Sequence, residues 1–376
     1  MTPALHEAWF SERQPDGRVR CTLCPHDCRI VDGSRGACSV RYNDSGVLYT
    51  LVYDRIVASS LEPIEKKPFF HVMPGSLAYS IATVGCNQQC TFCQNWEIAQ
   101  WPRDELPRRL AGDHREAPIP MASLAYVIPG RPQSPDAIVD AAIGAGASSI
   151  AYTFTEPTIY FELAFDTAVK ARARGLKNVF VTNGYISERA LRKIATVLDA
   201  ANVDLKFFRE ESYRRISRAG LQPILDAIRL YHALGVWVEV TTLVIPDVND
   251  SDQELRQIAE FIRSVGPEVP WHVSQFYPTY KMIDRPETPV DTLRRARDIG
   301  LNAGLHYVYE GNIPGQGHEN TVCPVCHTVL IERYGFEVRK NLTKEGHCPV
   351  CVTRIDGIQM ENVKRRPLAD ATEKRS

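Results

Sequence analysis

The sequence predicts an α/β fold: a partial (β/α)6 barrel with a cysteine-rich module before it and a ribbon-like module after it. Three observations carry this. From residue 76 to residue 310, short apolar runs alternate with stretches of helical periodicity, the pattern of a parallel sheet built from strand–helix units. About six such units can be read, too few for a closed eight-unit barrel. The 11 cysteines of the 376-residue chain fall into three tight groups, with none between Cys93 and Cys323.

Leu77–Thr83 reads as a strand that ends at Gly85 and a cysteine loop. Ser149–Thr153, Val179–Thr182, Ala201–Leu205, Val236–Thr242 and Trp271–Phe276 continue the series, and Tyr307–Tyr309 is a candidate last strand. Ser134-Pro135 offers a helix cap followed by proline in the first helical position, leading into Ile138, Val139, Ala142 and Ile143. Ser251 with Glu254 resembles a capping box, and Leu255, Ile258, Ala259 and Ile262 then recur at helical spacing. Thr288-Pro289 opens a further helix. Residues 102–133, rich in proline and charge, read either as a loop over the site mouth or as a disordered insertion. The expected division is an N-terminal four-cysteine module at 1–75, the core at 76–310, a C-terminal four-cysteine module at 311–362 and a flexible tail at 363–376.

Hydrophobic residues at 44% and charged residues at 24% allow a packed core. A formal net charge of -1 gives no broad basic field, so nucleic acid and anionic membrane are not expected partners. No apolar run approaches the length of a membrane span. Met1 to Arg20, with Glu7, Glu12 and Asp16, does not read as a signal peptide. Cysteines grouped at gaps of two and three residues then point to metal ligation in a cytoplasmic protein rather than to disulfides.

Cys86, Cys90 and Cys93 form a C-x3-C-x2-C pattern after a strand. Three thiolates can hold three irons of a [4Fe–4S] cluster and leave the fourth iron open to an amino and carboxylate group. The cofactor then carries the difficult chemistry, and the protein places it and excludes water. A zinc site completed by His71 or His272 is the alternative use of such a trio.

With these residues, and with the aromatic Phe92 before the third cysteine, the sequence resembles the radical SAM superfamily. More narrowly it resembles the pyruvate formate-lyase activating enzyme branch, and more closely still the radical SAM component of the AmmeMemoRadiSam system. That resemblance rests on Cys24-Pro25-His26-Asp27-Cys28, Cys93-Gln94-Asn95-Trp96, Tyr152-Thr153-Phe154-Thr155-Glu156-Pro157, Gly311-Asn312-Ile313-Pro314-Gly315 and Cys323-Pro324-Val325-Cys326. It implies that S-adenosylmethionine is cleaved reductively to methionine and a 5′-deoxyadenosyl radical, which abstracts hydrogen from a substrate. A reduced flavodoxin or ferredoxin is the implied electron donor. Memo-like proteins, or a glycyl radical enzyme to be activated, are the implied partners. A non-catalytic iron–sulfur or zinc electron carrier is the reading from another class.

The resemblance also implies cofactor contacts. Family proteins carry Gly-Gly-Glu-Pro where this chain has Phe154-Thr155-Glu156-Pro157, so Glu156 and Thr155 are expected at the methionine amino group. A first-turn carboxylate would explain Glu156 as well. Asn183 and Gly184 end the third strand, at a ligand or in an ordinary turn. Asp204 and Lys206 share a strand face, beside the ribose and carboxylate or as a structural ion pair. Val244 is expected near adenine. His272 is expected near the ribose, or as a satisfied core residue.

Of the outer groups, Cys323, Cys326, Cys348 and Cys351 form two C-x2-C knuckles, a zinc-ribbon-like signal, with an auxiliary cluster as the alternative. Cys21, Cys24, Cys28 and Cys38 are irregularly spaced, and spacing leaves zinc and an auxiliary iron–sulfur cluster both open.

Overall fold

The computed structural model describes residues 6–105, 127–315 and 318–361. Most of the insertion at 102–133 and the expected tail from 363 lie outside the described residues.

Eight strands form one sheet: β1 Ala58–Pro63, β2 Leu77–Ala82, β3 Ser149–Tyr152, β4 Lys177–Thr182, β5 Ala200–Asp204, β6 Trp237–Val244, β7 Trp271–Gln275 and β8 Val308–Gly311. They lie side by side in chain order. From β2 to β8 every neighbour is parallel. Six helices fill the crossovers: α1 Pro135–Gly144, α2 Phe161–Ala173, α3 Glu188–Ile194, α4 Gln222–Ala233, α5 Asp252–Val265 and α6 Val290–Asn302. The fold is therefore the expected α/β type.

The candidate last strand at Tyr307–Tyr309 is present as Val308–Gly311, the seventh parallel strand, β8. One feature exceeds the expectation. The first strand, β1, runs antiparallel to β2 and extends the sheet from sequence assigned to the N-terminal module. A short alternating segment carries no mark of which sheet it joins.

Local chemistry explains the helix starts. The Ser134 hydroxyl accepts from Ala137 N–H, and the Ser251 hydroxyl accepts from Glu254 N–H. Thr288 behaves differently, because it does not cap α6. Its hydroxyl instead donates to Val244 O and accepts from Phe276 N–H, pinning the ends of β6 and β7 together.

The barrel floor is plugged from within the chain. Ile64, Phe69, Val72 and Met73, just after β1, pack against Ala78, Ala151, Val179 and Ala200 on the inner sheet face. Below the cavity Glu239 accepts from the N–H groups of Phe70 (3.1 Å) and His71 (2.9 Å), from Trp237 Nε1 (3.2 Å) and from His272 Nε2 (2.6 Å). Tyr309 OH stands 2.7 Å from His71 Nε2.

The first cysteine group sits on a small antiparallel sheet, Ser11–Arg13, Val19–Cys21 and Cys28–Ile30. The N-terminal region is locked to α2 by Arg41, whose guanidinium donates to both carboxylate oxygens of Glu162 at 2.9 and 2.7 Å in full burial. The last cysteine group sits on Thr321–Val322, Val329–Tyr334 and Glu337–Asn341. That ribbon is fastened to the plug by a bridge between Val72 and Ile358 and by Arg333, which donates to Phe70 O at 2.8 Å. No helix among the described residues is long and apolar enough to cross a membrane.

Candidate active site at the carboxyl ends of the strands

The loop after β2 turns at Gly85, whose φ of +103° is a glycine conformation. Any side chain there would press on Val40 and on the carbonyl of Cys38. The loop is held from behind by the segment before Arg218. Gln89 N–H donates to Ser217 O and Thr91 N–H to Ile216 O. Cys86, Cys90 and Cys93 thereby line one cavity of about 340 Å³ at the carboxyl ends of the strands, the end at which βα folds place their sites. Phe92 lies beneath them, edge-on to Phe207.

Burial governs the electrostatics of the trio. Burial pushes all three thiols above their ordinary value, Cys93 to about 12. Buried thiols keep their protons unless a metal takes the place of those protons. Donors already point at the sulfurs. Gln88 N–H donates to Cys86 Sγ at 3.3 Å, and the Asn183 side-chain amide lies 3.7 Å from the same atom. The Ser217 hydroxyl is 3.3 Å from Cys90 Sγ. Gln88 Nε2 is buried without a partner.

The strand ends complete the wall. Glu156 follows β3 and is nearly inaccessible. One oxygen accepts from Thr158 N–H (3.0 Å), Thr158 Oγ1 (2.6 Å) and Thr182 Oγ1 (2.8 Å), and the other accepts from Asn183 N–H (2.7 Å). Burial nonetheless raises its pKa. The carboxylate thus caps the turn Pro157–Tyr160 and also clamps the end of β4. Thr155 donates its hydroxyl to Thr83 O at 2.8 Å. Asn183 donates to Asn87 Oδ1 at 2.9 Å. Lys206 Nζ donates to Asp204 at 2.6 Å, deep in the cavity. Burial works against the Lys206 charge, but Asp204 and Cys90 outweigh it and raise its pKa.

Phe154 occupies the place of a family glycine and keeps the glycine conformation, with φ +62°. An aromatic residue in that region is strained. Two contacts hold it there: Asn95 donates to its carbonyl at 2.9 Å, and Lys67 Nζ lies 4.3 Å from its ring centroid.

The cavity brings together Phe92, Thr155, Glu156, Asn183, Asp204 and Lys206 with the three cysteines. Three expected residues lie elsewhere. Val244 points away from the interior, because Thr241 and Leu243 hold the inward face of β6 and side chains alternate. Gly184 turns the chain at φ +70°, where a Cβ would meet Val203 and Ile224 rather than a ligand. His272 faces inward but sits below the cavity, committed to Glu239 and stacked on Tyr309. His71 is equally committed, so neither histidine completes a zinc site with the trio.

Other wall residues escaped sequence reasoning. Lys66, Lys67 and Pro68 rise from the plug, and Ser274 and Asn312 come from the far strands. Lys67 pairs with Glu62. The doubled lysine four residues after Glu62 was the available signal.

Residues 80–262 match the radical SAM superfamily. The protein named "Uncharacterized protein MJ0808" from Methanocaldococcus jannaschii is 42% identical over 355 residues, covering 94% of this chain and 99% of that one. Among solved structures, the chain is similar to a domain of pyruvate-formate lyase-activating enzyme from Bacteroides vulgatus, at 17% identity and TM-score 0.39, covering 44% of this chain and 100% of that one. It is also similar to Streptococcus suis SuiB bound to S-adenosylmethionine, at 12% identity and TM-score 0.44, covering 64% and 50%. The superfamily match begins on β2, just ahead of the cysteine loop, and runs through β6, so it takes in the three cysteines, Glu156, Asn183, Asp204 and Lys206 of the cavity: the chain belongs to the radical SAM superfamily.

Proposed function

We propose that this chain initiates radical chemistry at the Cys86, Cys90 and Cys93 cavity and directs it to hydrogen abstraction from a substrate. Superfamily membership brings S-adenosylmethionine and a [4Fe–4S] cluster as cofactors. The residues present fit both. The three thiols share one cavity with Gln88, whose side-chain nitrogen is buried without a partner, and with a carboxylate and an ammonium group. When bound, the reduced cluster supplies one electron to the sulfonium of S-adenosylmethionine, giving methionine and a 5′-deoxyadenosyl radical.

The protein's part is placement. Cys86, Cys90 and Cys93 would hold the metal, with the Asn183 amide and Gln88 N–H aimed at the Cys86 sulfur. Glu156 presents an uncompensated carboxylate suited to an amino group. Lys206, steadied by Asp204, supplies a cation suited to a carboxylate. Ile64, Phe69, Val72 and Met73 exclude water from below.

The single observation that carries the reading is that the three sulfurs, Glu156 and Lys206 open onto one space. The test is anaerobic incubation of the cluster-loaded chain with dithionite and S-adenosylmethionine. The expected result is 5′-deoxyadenosine and methionine in equal amounts, lost in Cys90→Ala. A fully loaded protein that releases no 5′-deoxyadenosine would sink the proposal. The motifs at 24–28, 93–96, 152–157 and 311–315 support the AmmeMemoRadiSam type of enzyme, with a flavodoxin- or ferredoxin-like donor and a substrate other than a glycyl radical enzyme.

A further inference from the structure

The two outer cysteine quartets gather their sulfurs to different degrees, and the difference separates their metals. In the C-terminal ribbon, Cys323 Sγ is 3.5 Å from Cys351 Sγ, and Cys326 Sγ is 3.5 Å from Cys348 Sγ. All four lie within 4.8 Å of one another. Four sulfurs at about 2.3 Å from one tetrahedral zinc stand about 3.8 Å apart, so this spacing is that of a zinc cage.

The two knuckles are also built alike. Cys323 N–H donates to Thr328 O and Cys348 N–H to Thr353 O. His327 and Val352 each follow a second cysteine at φ near +60°. Thr328 and Thr353 place their hydroxyls 3.3 and 3.2 Å from Cys326 and Cys351.

Among the described residues, no other group of three or more cysteine, histidine or acidic ligand atoms gathers so closely. The central trio does not, and neither does the N-terminal quartet. Yet the N-terminal four form one group. Cys21 and Cys28 face each other across paired strands. Gly36 lies against Cys28, a Cβ there standing 3.6 Å from its sulfur, which brings the Cys38 loop onto the pair. No three of the four sulfurs lie within 4.8 Å of one another, a wider spread than a single zinc requires. An iron–sulfur cage takes one thiolate at each of four irons, so its ligands stand further apart than those of one zinc. A backbone N–H already donates to a sulfur here, Ala37 to Cys28 at 3.4 Å, as Gln88 does to Cys86. Such bonds tune cluster potentials.

The quartet is also placed against the active site. Arg103 donates from one guanidinium nitrogen to Ala37 O (2.5 Å) and to Cys86 O (3.0 Å), tying the Cys38 loop to the trio's loop. His26 Nε2 donates to Asn87 O at 2.6 Å. Cys21 and Cys38 are buried, while Cys24 and Cys28 are part-exposed.

We propose that Cys21, Cys24, Cys28 and Cys38 hold a second [4Fe–4S] cluster, and that Cys323, Cys326, Cys348 and Cys351 hold zinc. Standing between solvent and the Cys86 loop, the second cluster is where a one-electron protein donor delivers its electron. No bond is made or broken in that transfer: the donor is oxidised by one electron and the cluster reduced by one. The assignment rests on sulfur geometry and does not depend on cleavage of S-adenosylmethionine.

The test uses the full chain with Cys86, Cys90 and Cys93 all changed to alanine, reconstituted anaerobically with iron and sulfide. It should retain about four irons and about four sulfides per chain, with about one zinc. After dithionite it should show an electron paramagnetic resonance signal that S-adenosylmethionine leaves unmoved. Adding Cys24→Ala and Cys28→Ala should remove the iron and keep the zinc. On the wild-type protein, zinc-edge X-ray absorption should report four sulfurs at about 2.3 Å. That measurement stands even if a ribbon variant fails to fold. An iron-free triple variant carrying about two zincs, iron that survives loss of Cys24 and Cys28, or a zinc shell with nitrogen or fewer sulfurs would overturn the assignment.

Discussion

Two buried glutamates stand at opposite ends of the barrel, and each accepts four hydrogen bonds. Glu156, at the upper end, receives them from two backbone N–H groups and two threonine hydroxyls, all neutral. Glu239, at the floor, receives two from backbone, one from indole and one from His272. Burial raises the pKa of Glu156, and its donors do not offset that. Burial acts the same way on Glu239, but His272 outweighs it, and the pKa falls below the ordinary value. The floor carboxylate is answered from inside the fold. The upper one borders the cavity without a charged partner, a place that the proposed function gives to an amino group of the cofactor. A buried charge therefore marks a ligand site where its counter-charge is missing, and a structural joint where it is not.

The sharpest way to break this contrast is to neutralise each acid in turn. Glu239→Gln should cost about 1–3 kcal/mol of stability, as leaving buried donors unsatisfied does. The folded, reconstituted variant should bind S-adenosylmethionine as wild type does. Glu156→Gln should cost less stability and weaken that binding about tenfold, near 1.4 kcal/mol. Denaturant midpoints and anaerobic calorimetry measure the two effects, and equal behaviour of the two variants would erase the distinction.

The floor should next reveal itself in acid. Burial lowers the pKa of His71 from 6.5 to about 4. Between those values the unfolded chain takes up a proton that the folded chain refuses, so stability rises with pH across this window. The contribution is full above pH 6.5 and is lost as pH falls toward 4, by about 3 kcal/mol. Unfolding free energies measured across that window, with His71→Phe as the flattened control, test the sign. A slope that persists unchanged in the variant would assign it to other groups.

The smallest effect belongs to Lys206→Gln. Its partner Asp204 is a third exposed, so the pair adds under about 1 kcal/mol to stability. Affinity for S-adenosylmethionine should fall about fivefold, roughly 1 kcal/mol. A large stability loss with unchanged affinity would make this pair structural, like the floor.

The alternation of strands and helices, the cysteine loop and the strand-end residues were legible because each follows from local pattern. Depth and parity were not. Val244 differs from Leu243 by one residue, which is enough to reverse the face. His272 is on the correct face but two residues below Ser274, about 7 Å deeper at the rise of a strand. Phe154 could not be foreseen in a left-handed conformation, because it is held there by the Thr155 N–H to Thr153 O turn and by contacts of Asn95 and Lys67, which are distant in sequence. The plug was illegible for another reason: Phe69, Val72 and Met73 stand at helical spacing, but Pro68 and Pro74 bracket them, and only the curling of the sheet around them makes them a floor.

That floor has a consequence for the order of events. Among the described residues, apolar packing closes the cavity from below, while the sheet stays open between β1 and β8. On the proposed reading, a molecule seated against the deepest wall enters before, and leaves after, one held nearer the strand ends.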